Sequence, residues 1–138
     1  GVSRFIINRI DEDRAYLQAG VIYFDDEAEE ISEEARMLIS DGIELLNQLD
    51  VMTGKKRDYK SLVKLDHKTI SFVITSIEGF TLGEKQRFLE MTSTNIRITE
   101  SVESLKQIVQ KEKVLQEIKN IIGGNGNLRR GITDGLSE

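Results

Sequence analysis

Apolar residues recur at helical spacing from Ile31 through Ala35, Leu38, Gly42, Leu45 and Leu49 to Met52, with Ile39 and Leu46 widening the row. A row of this kind predicts one long amphipathic helix, which Gly54 is placed to end. A second row, Ile98, Val102, Leu105, Ile108, Val109, Leu115, Ile118 and Ile122, predicts another over roughly 95–122, with Glu112 interrupting the stripe where it drifts or emerges into solvent. Two helices apolar on one side must cover those sides with each other or with a partner. The chain has no proline, so element boundaries fall to Gly, Asn, Asp, Ser and Thr.

Shorter elements lie between these helices. Asp66 is a cap candidate for a helix carrying Ile70, Val73, Ile74 and Ile77, which Gly79 ends. The stretch FTLGEKQRFLEMTSTNIRI then opens with a capping box: Thr81, with Glu84 three residues on. Leu82, Phe88 or Leu89, and Met91 supply the apolar side of this short helix, and Thr92, Ser93 and Thr94 are cap candidates for the last one. GGNGN at 123–127 is expected to end that helix and leave 123–138 as a flexible tail.

Before the first helix, RFIINRI and AYLQAGVIYF are rich in β-branched and aromatic residues, and DEDR between them suits a turn. They predict a β-hairpin with apolar residues on both faces, so both faces call for cover. The expected class is therefore α+β, mainly α: an N-terminal hairpin followed by a bundle of two long and two short helices. A single domain over 1–122 is expected, with 1–25 as the hairpin and 26–122 as the helical part.

The chemistry-bearing residues are sparse. There is no cysteine among the 138 residues, which excludes disulfides, zinc-thiolate sites and cysteine nucleophiles. The single His67 has no second histidine or cysteine to share a metal or a nucleophile, and reads as a surface residue at a helix start. DDEAEEISEE carries seven carboxylates but lacks the spaced ligands and central glycine of a calcium loop; it reads as a solvated lead into a helix whose dipole favours negative charge. GGNGN follows a helix, whereas a phosphate loop precedes one. KKRDYK at 55–60 reads as a solvated basic loop, because the net charge of -5 leaves no wider basic footprint for nucleic acid. No catalytic residue, metal or cofactor is expected. The chain shows neither an apolar run of membrane-spanning length nor a signal-peptide pattern in its first residues, and a cytoplasmic location without membrane contact is the expectation.

The order of these segments carries a resemblance. RFIINRIDEDRAYLQAGVIYFDDEAEE, followed by a long helix, resembles the middle of the Lon protease N-terminal, substrate-binding domain. TLGEKQRFLEMTSTNIRITESVESL is similar to that family's connector helix and final helix, through Glu84, Lys85, Gln86, Leu89 and Glu90, then the Ser and Thr caps before Val102 and Leu105. It covers roughly residues 3–122 and rests on order and spacing. The resemblance implies a module that recognises unfolded or tagged protein segments, or positions other proteins, with catalysis located elsewhere.

Two departures accompany it. The family's β-rich first half has no counterpart here, so the chain is either a fragment or a rebuilt domain, and the hairpin is expected to pair with a second copy or with a polypeptide carrying the missing strands. No GxxxxGK[ST] loop and no Ser-Lys protease pair is present. The expectation is thus a non-enzymatic protein-recognition module, with a dimerisation scaffold built on the long helices as the alternative. Phe80, Phe88 and Met91 are the candidates for peptide contact, since aromatic and Met side chains adapt to varied sequences; the competing reading places all three in the core.

Overall fold

The computed structural model describes the backbone of residues 3–13 and 15–136, and the side chains of these as far as residue 124. Strand β1 (Arg4–Asp11) runs antiparallel to β2 (Gln18–Phe24), and the helices α1 (Glu33–Thr53), α2 (Tyr59–Leu62), α3 (His67–Thr75), α4 (Leu82–Glu90) and α5 (Thr94–Leu136) follow. The α+β, mainly helical class with an N-terminal hairpin is the observed one. The short helices number three, because α2 is a single turn in the segment read as a basic loop.

Each start follows from a local side chain. Ser32 accepts the Ala35 N–H at 3.0 Å, Asp58 the Ser61 N–H at 3.1 Å, and Asp66 the Thr69 N–H at 2.7 Å. At α4 the full capping box forms: the Thr81 hydroxyl accepts from the Glu84 N–H, and the Glu84 carboxylate accepts from the Thr81 N–H at 2.8 Å. Helix α1 stops because Gly54 takes φ +72°, a conformation that costs glycine nothing, and returns its N–H to the Asp50 carbonyl.

The core lies between α1, α3 and α5, and is built from Ile39, Leu46, Ile74, Ile98, Val102 and Leu105 among others. Gly42 sits where α1 meets both neighbours; a Cβ there would stand 3.0 Å from Ile74 Cδ1 and 3.0 Å from Val102 Cγ2. The buried row on α1 is Ala35, Ile39, Gly42, Leu46 and Asp50, so the row Leu38, Leu45, Leu49 and Met52 flanks the contact instead of centring it.

Helix α5 packs through Ile98, Val102, Leu105 and Val109, then departs. Beyond Glu112, Leu115, Ile118 and Ile122 are 42%, 46% and 65% exposed, so the interruption marks where the stripe leaves the core. The helix does not end at GGNGN. Its backbone continues to Leu136, which corrects the expected break at 123; residues 137 and 138 lie outside the described residues. Glycine weakens a helix by about 1 kcal/mol per residue but keeps its N–H, so a helix already propagated for several turns can run through it.

The hairpin pairs Arg4 with Phe24, Phe5 with Tyr23, Ile6 with Ile22 and Ile7 with Val21; an irregularity at Asn8 shifts the register before Arg9 meets Gly20. Neither face is covered along its length: Phe5 is 51% and Ile6 57% exposed.

Candidate functional site

Asp26 stands just past β2, at the open end of the hairpin, and joins it to the helices. The fully buried Arg97 of α5 donates both terminal nitrogens to the Asp26 carboxylate, one of them at 2.9 Å, and Arg4 of β1 donates to the same carboxylate at 2.6 Å. The Thr94 hydroxyl donates as well. Burial pushes the Asp26 carboxyl up, but hydrogen bonds from Arg97, Thr94 and Arg4 outweigh it and hold the group at about 2.

Arg97 has further partners. Its Nε donates to the Phe88 carbonyl at 3.2 Å and Nη1 to the Ser71 hydroxyl at 3.1 Å, while Arg4 Nη1 donates to the Met91 carbonyl at 2.7 Å. The Phe72 ring adds cation–π attraction, with Arg97 Cζ 4.0 Å and Arg4 Cζ 5.0 Å from its centroid. Among the described residues no buried side-chain polar atom lacks a partner. A buried ion pair of this kind holds because every donor and acceptor around it is satisfied.

The acidic segment continues this strap along the α4–α5 junction. The Glu27 N–H donates to the Thr92 carbonyl at 2.8 Å, and the Glu29 carboxylate accepts from the Asn95 N–H at 2.9 Å and the Ser93 hydroxyl at 3.0 Å. Hydrogen bonding to the Asn95 N–H, and then to Ser93, holds the Glu29 carboxyl below its ordinary range. The Ser93 hydroxyl in turn accepts the Ile96 N–H at 3.2 Å, which makes it the cap of α5. The acidic run is a largely exposed lead that places Glu33 and Glu34 in the first turn of α1, as expected, while Asp26 and Glu29 also serve the N-terminus of α5.

A groove of about 1020 Å³ lies between the open end of the hairpin, α3 and α4. Tyr23 and Phe24 form one wall, Phe72 of α3 the floor, and Leu82 and Leu89 of α4 the other wall. Leu82 is 86% exposed, although nothing in its sequence context marks it as a surface residue. The charged lining comprises Arg4, Lys68 and Lys85 against one carboxylate, Asp25. Lys68 Nζ lies 2.6 Å from Asp25, and that hydrogen bond, with one from the Asp26 N–H, holds the Asp25 carboxyl low.

The three residues expected to touch a peptide do not line this groove. Phe80 and Phe88 are buried, their rings edge to face with centroids 5.3 Å apart, and both belong to the core. Met91 is half-buried at the C-cap of α4, packs on the core, and presents its carbonyl to the two arginines. Helix α4 turns Phe88 inward and a different row, Leu82, Lys85, Gln86 and Leu89, toward the groove; their spacing of three, four and seven was the available sequence signal. His67 begins α3, outside the groove lining.

A second buried acid, Asp50, lies in the last turn of α1. Asp50 accepts from Arg57 Nε at 2.9 Å and from the Tyr59 hydroxyl. KKRDYK is exposed at Lys55, Lys56, Asp58 and Lys60, as a solvated loop would be, but its Arg57 and Tyr59 fasten α2 to the end of α1. Burial and the hydrogen bond to Asp50 push the Tyr59 phenol up to about 12.

Among the described residues no group of His, Asp or Glu side chains is arranged to hold a metal, and no helix is long and apolar enough to cross a membrane. Comparison with protein-family models and with curated proteins gives no match to this chain.

Proposed function

We propose that the chain is a non-enzymatic protein-recognition module, of the kind its resemblance to the Lon substrate-binding domain implies, and that it holds exposed apolar stretches of unfolded polypeptide in the groove beside the hairpin. The observation that carries this reading is the groove itself: an open channel walled by Tyr23, Phe24, Leu82 and Leu89 and floored by Phe72. Apolar walls with a few placed charges suit a segment of chain, and water leaves those walls when one binds. The test is binding of a permanently unfolded reporter protein to the Leu82→Ser, Leu89→Ser double variant. Both side chains are exposed, so binding falls while Tm stays within about 2 °C of the parent. Equal binding by the two proteins defeats the reading.

A scaffold that associates with a second copy is the other reading, and the exposed row Leu115, Ile118 and Ile122 on α5 favours it. The hairpin offers a second surface, since β2 carries no charged residue to guard its edge. Sedimentation over a concentration series separates these routes: Ile118→Glu abolishes association through α5, whereas Val21→Lys abolishes association through the hairpin. A monomer at every concentration excludes both.

A further inference from the structure

The groove differs in charge from the molecule that contains it. The chain as a whole is acidic, with a net charge of -5, yet the groove lining holds three cations and one carboxylate. Two of those cations are already engaged: Lys68 by Asp25, and Arg4 by Asp25 and Asp26. Lys85 makes no ion pair among the described residues, and it stands on α4 between the two leucines of the groove wall, three residues after Leu82 and four before Leu89. A carboxylate on a segment seated against those leucines meets an ammonium within the same helical row.

We infer that the groove prefers apolar segments flanked by carboxylates, and that Lys85 is the residue that reads the flanking charge. This rests on the peptide-binding reading of the groove and adds to it a chemical class of occupant. The acidic remainder of the surface repels carboxylates, so a flanked segment gains from the groove only where the local sign is reversed. An exposed or half-exposed pair of this type changes affinity by about two- to fivefold, and one near the surface weakens as salt screens it.

The chain contains no tryptophan, so a peptide with a Leu-Trp-Leu core reports its own binding by fluorescence. Three such peptides are titrated into the full chain, with the core flanked by Asp, by Ser or by Lys. The Asp-flanked peptide is expected to bind about fivefold more tightly than the Ser-flanked one at low salt, and the Lys-flanked one more weakly than both. The order inverts in Lys85→Glu, flattens in Lys85→Gln, and the Asp preference disappears in molar salt.

If Asp- and Ser-flanked peptides bind equally and both are lost in the Leu82→Ser, Leu89→Ser variant, the charge preference is overturned while the groove remains the site. A preference for Asp that ignores Lys85 also overturns the proposal, because it arises elsewhere. If none of the three binds, the peptide-binding reading falls together with the preference.

Discussion

Asp26 answers to two guanidiniums at once, and this decides what its loss does. In Asp26→Asn the charge that both Arg4 and Arg97 face is removed, leaving a fully buried arginine without its counter-ion; the expected cost is about 3–5 kcal/mol, measured by chemical denaturation. The pH dependence has a definite sign. The folded carboxyl titrates near 2, below its unfolded value of 3.8, so its contribution is present above about pH 4 and is lost as pH falls toward 2. The parent therefore loses about 2 kcal/mol more than Asp26→Asn across that window. Tyr59 has the opposite sign: its phenol is held near 12, so the stabilisation is complete below pH 10 and declines above it. Tyr59→Phe removes that alkaline component, at a cost near neutral pH of about 1–2 kcal/mol. None of these roles was legible in the sequence. A charge in a string of charges reads as solvated, and only its partners in the fold, such as Arg97 for Asp26 or Asp50 for Tyr59, reveal it as buried.

Elements were legible where their boundary chemistry is local. Asp66, Thr81 with Glu84, and Gly54 each act within a turn of their own position, so spacing alone locates them. The cap of α4 is the direct check: Thr81→Ala is expected to cost about 1 kcal/mol. Periodicity also found α1 and α5 but misjudged which row of α1 is central, because the choice depends on which neighbours arrive and how closely. Gly42 records that closeness. Alanine at 42 gains helix propensity yet meets Ile74 and Val102 at 3.0 Å, and crowding of a packed core costs about 1–3 kcal/mol, so a net loss of stability is expected. Gly123 is the contrasting case, for a Cβ there meets nothing within 4 Å. Gly123→Ala is expected to raise the helical circular-dichroism signal with no loss of stability, whereas a break at GGNGN would leave the signal unchanged. The composition GGNGN misled because glycine content signals a stop only when competing contacts or a left-handed residue complete it.

At the scale of the whole molecule, the groove escaped sequence reading because it belongs to no element. Its walls come from β2, α3 and α4, brought together by a carboxylate that precedes the helices and an arginine that follows most of them. The hairpin's apolar faces, by contrast, were legible, and their need for cover is unmet among the described residues. Hydrogen exchange is expected to show this division: amides of β1 and β2 exchange well before those of α1 and the Ile98–Val109 part of α5, since two strands with uncovered faces open independently of the core. The anchorage at one end has a mechanical consequence. Strand β1 is eight residues long, a span of about 25 Å, so tilting the hairpin by ten degrees about its pinned end carries the tip through about 4 Å. The ion cluster around Asp26 thus sits at the fulcrum of a lever, where an adjustment too small to disturb the bundle is magnified at the far end of the strands.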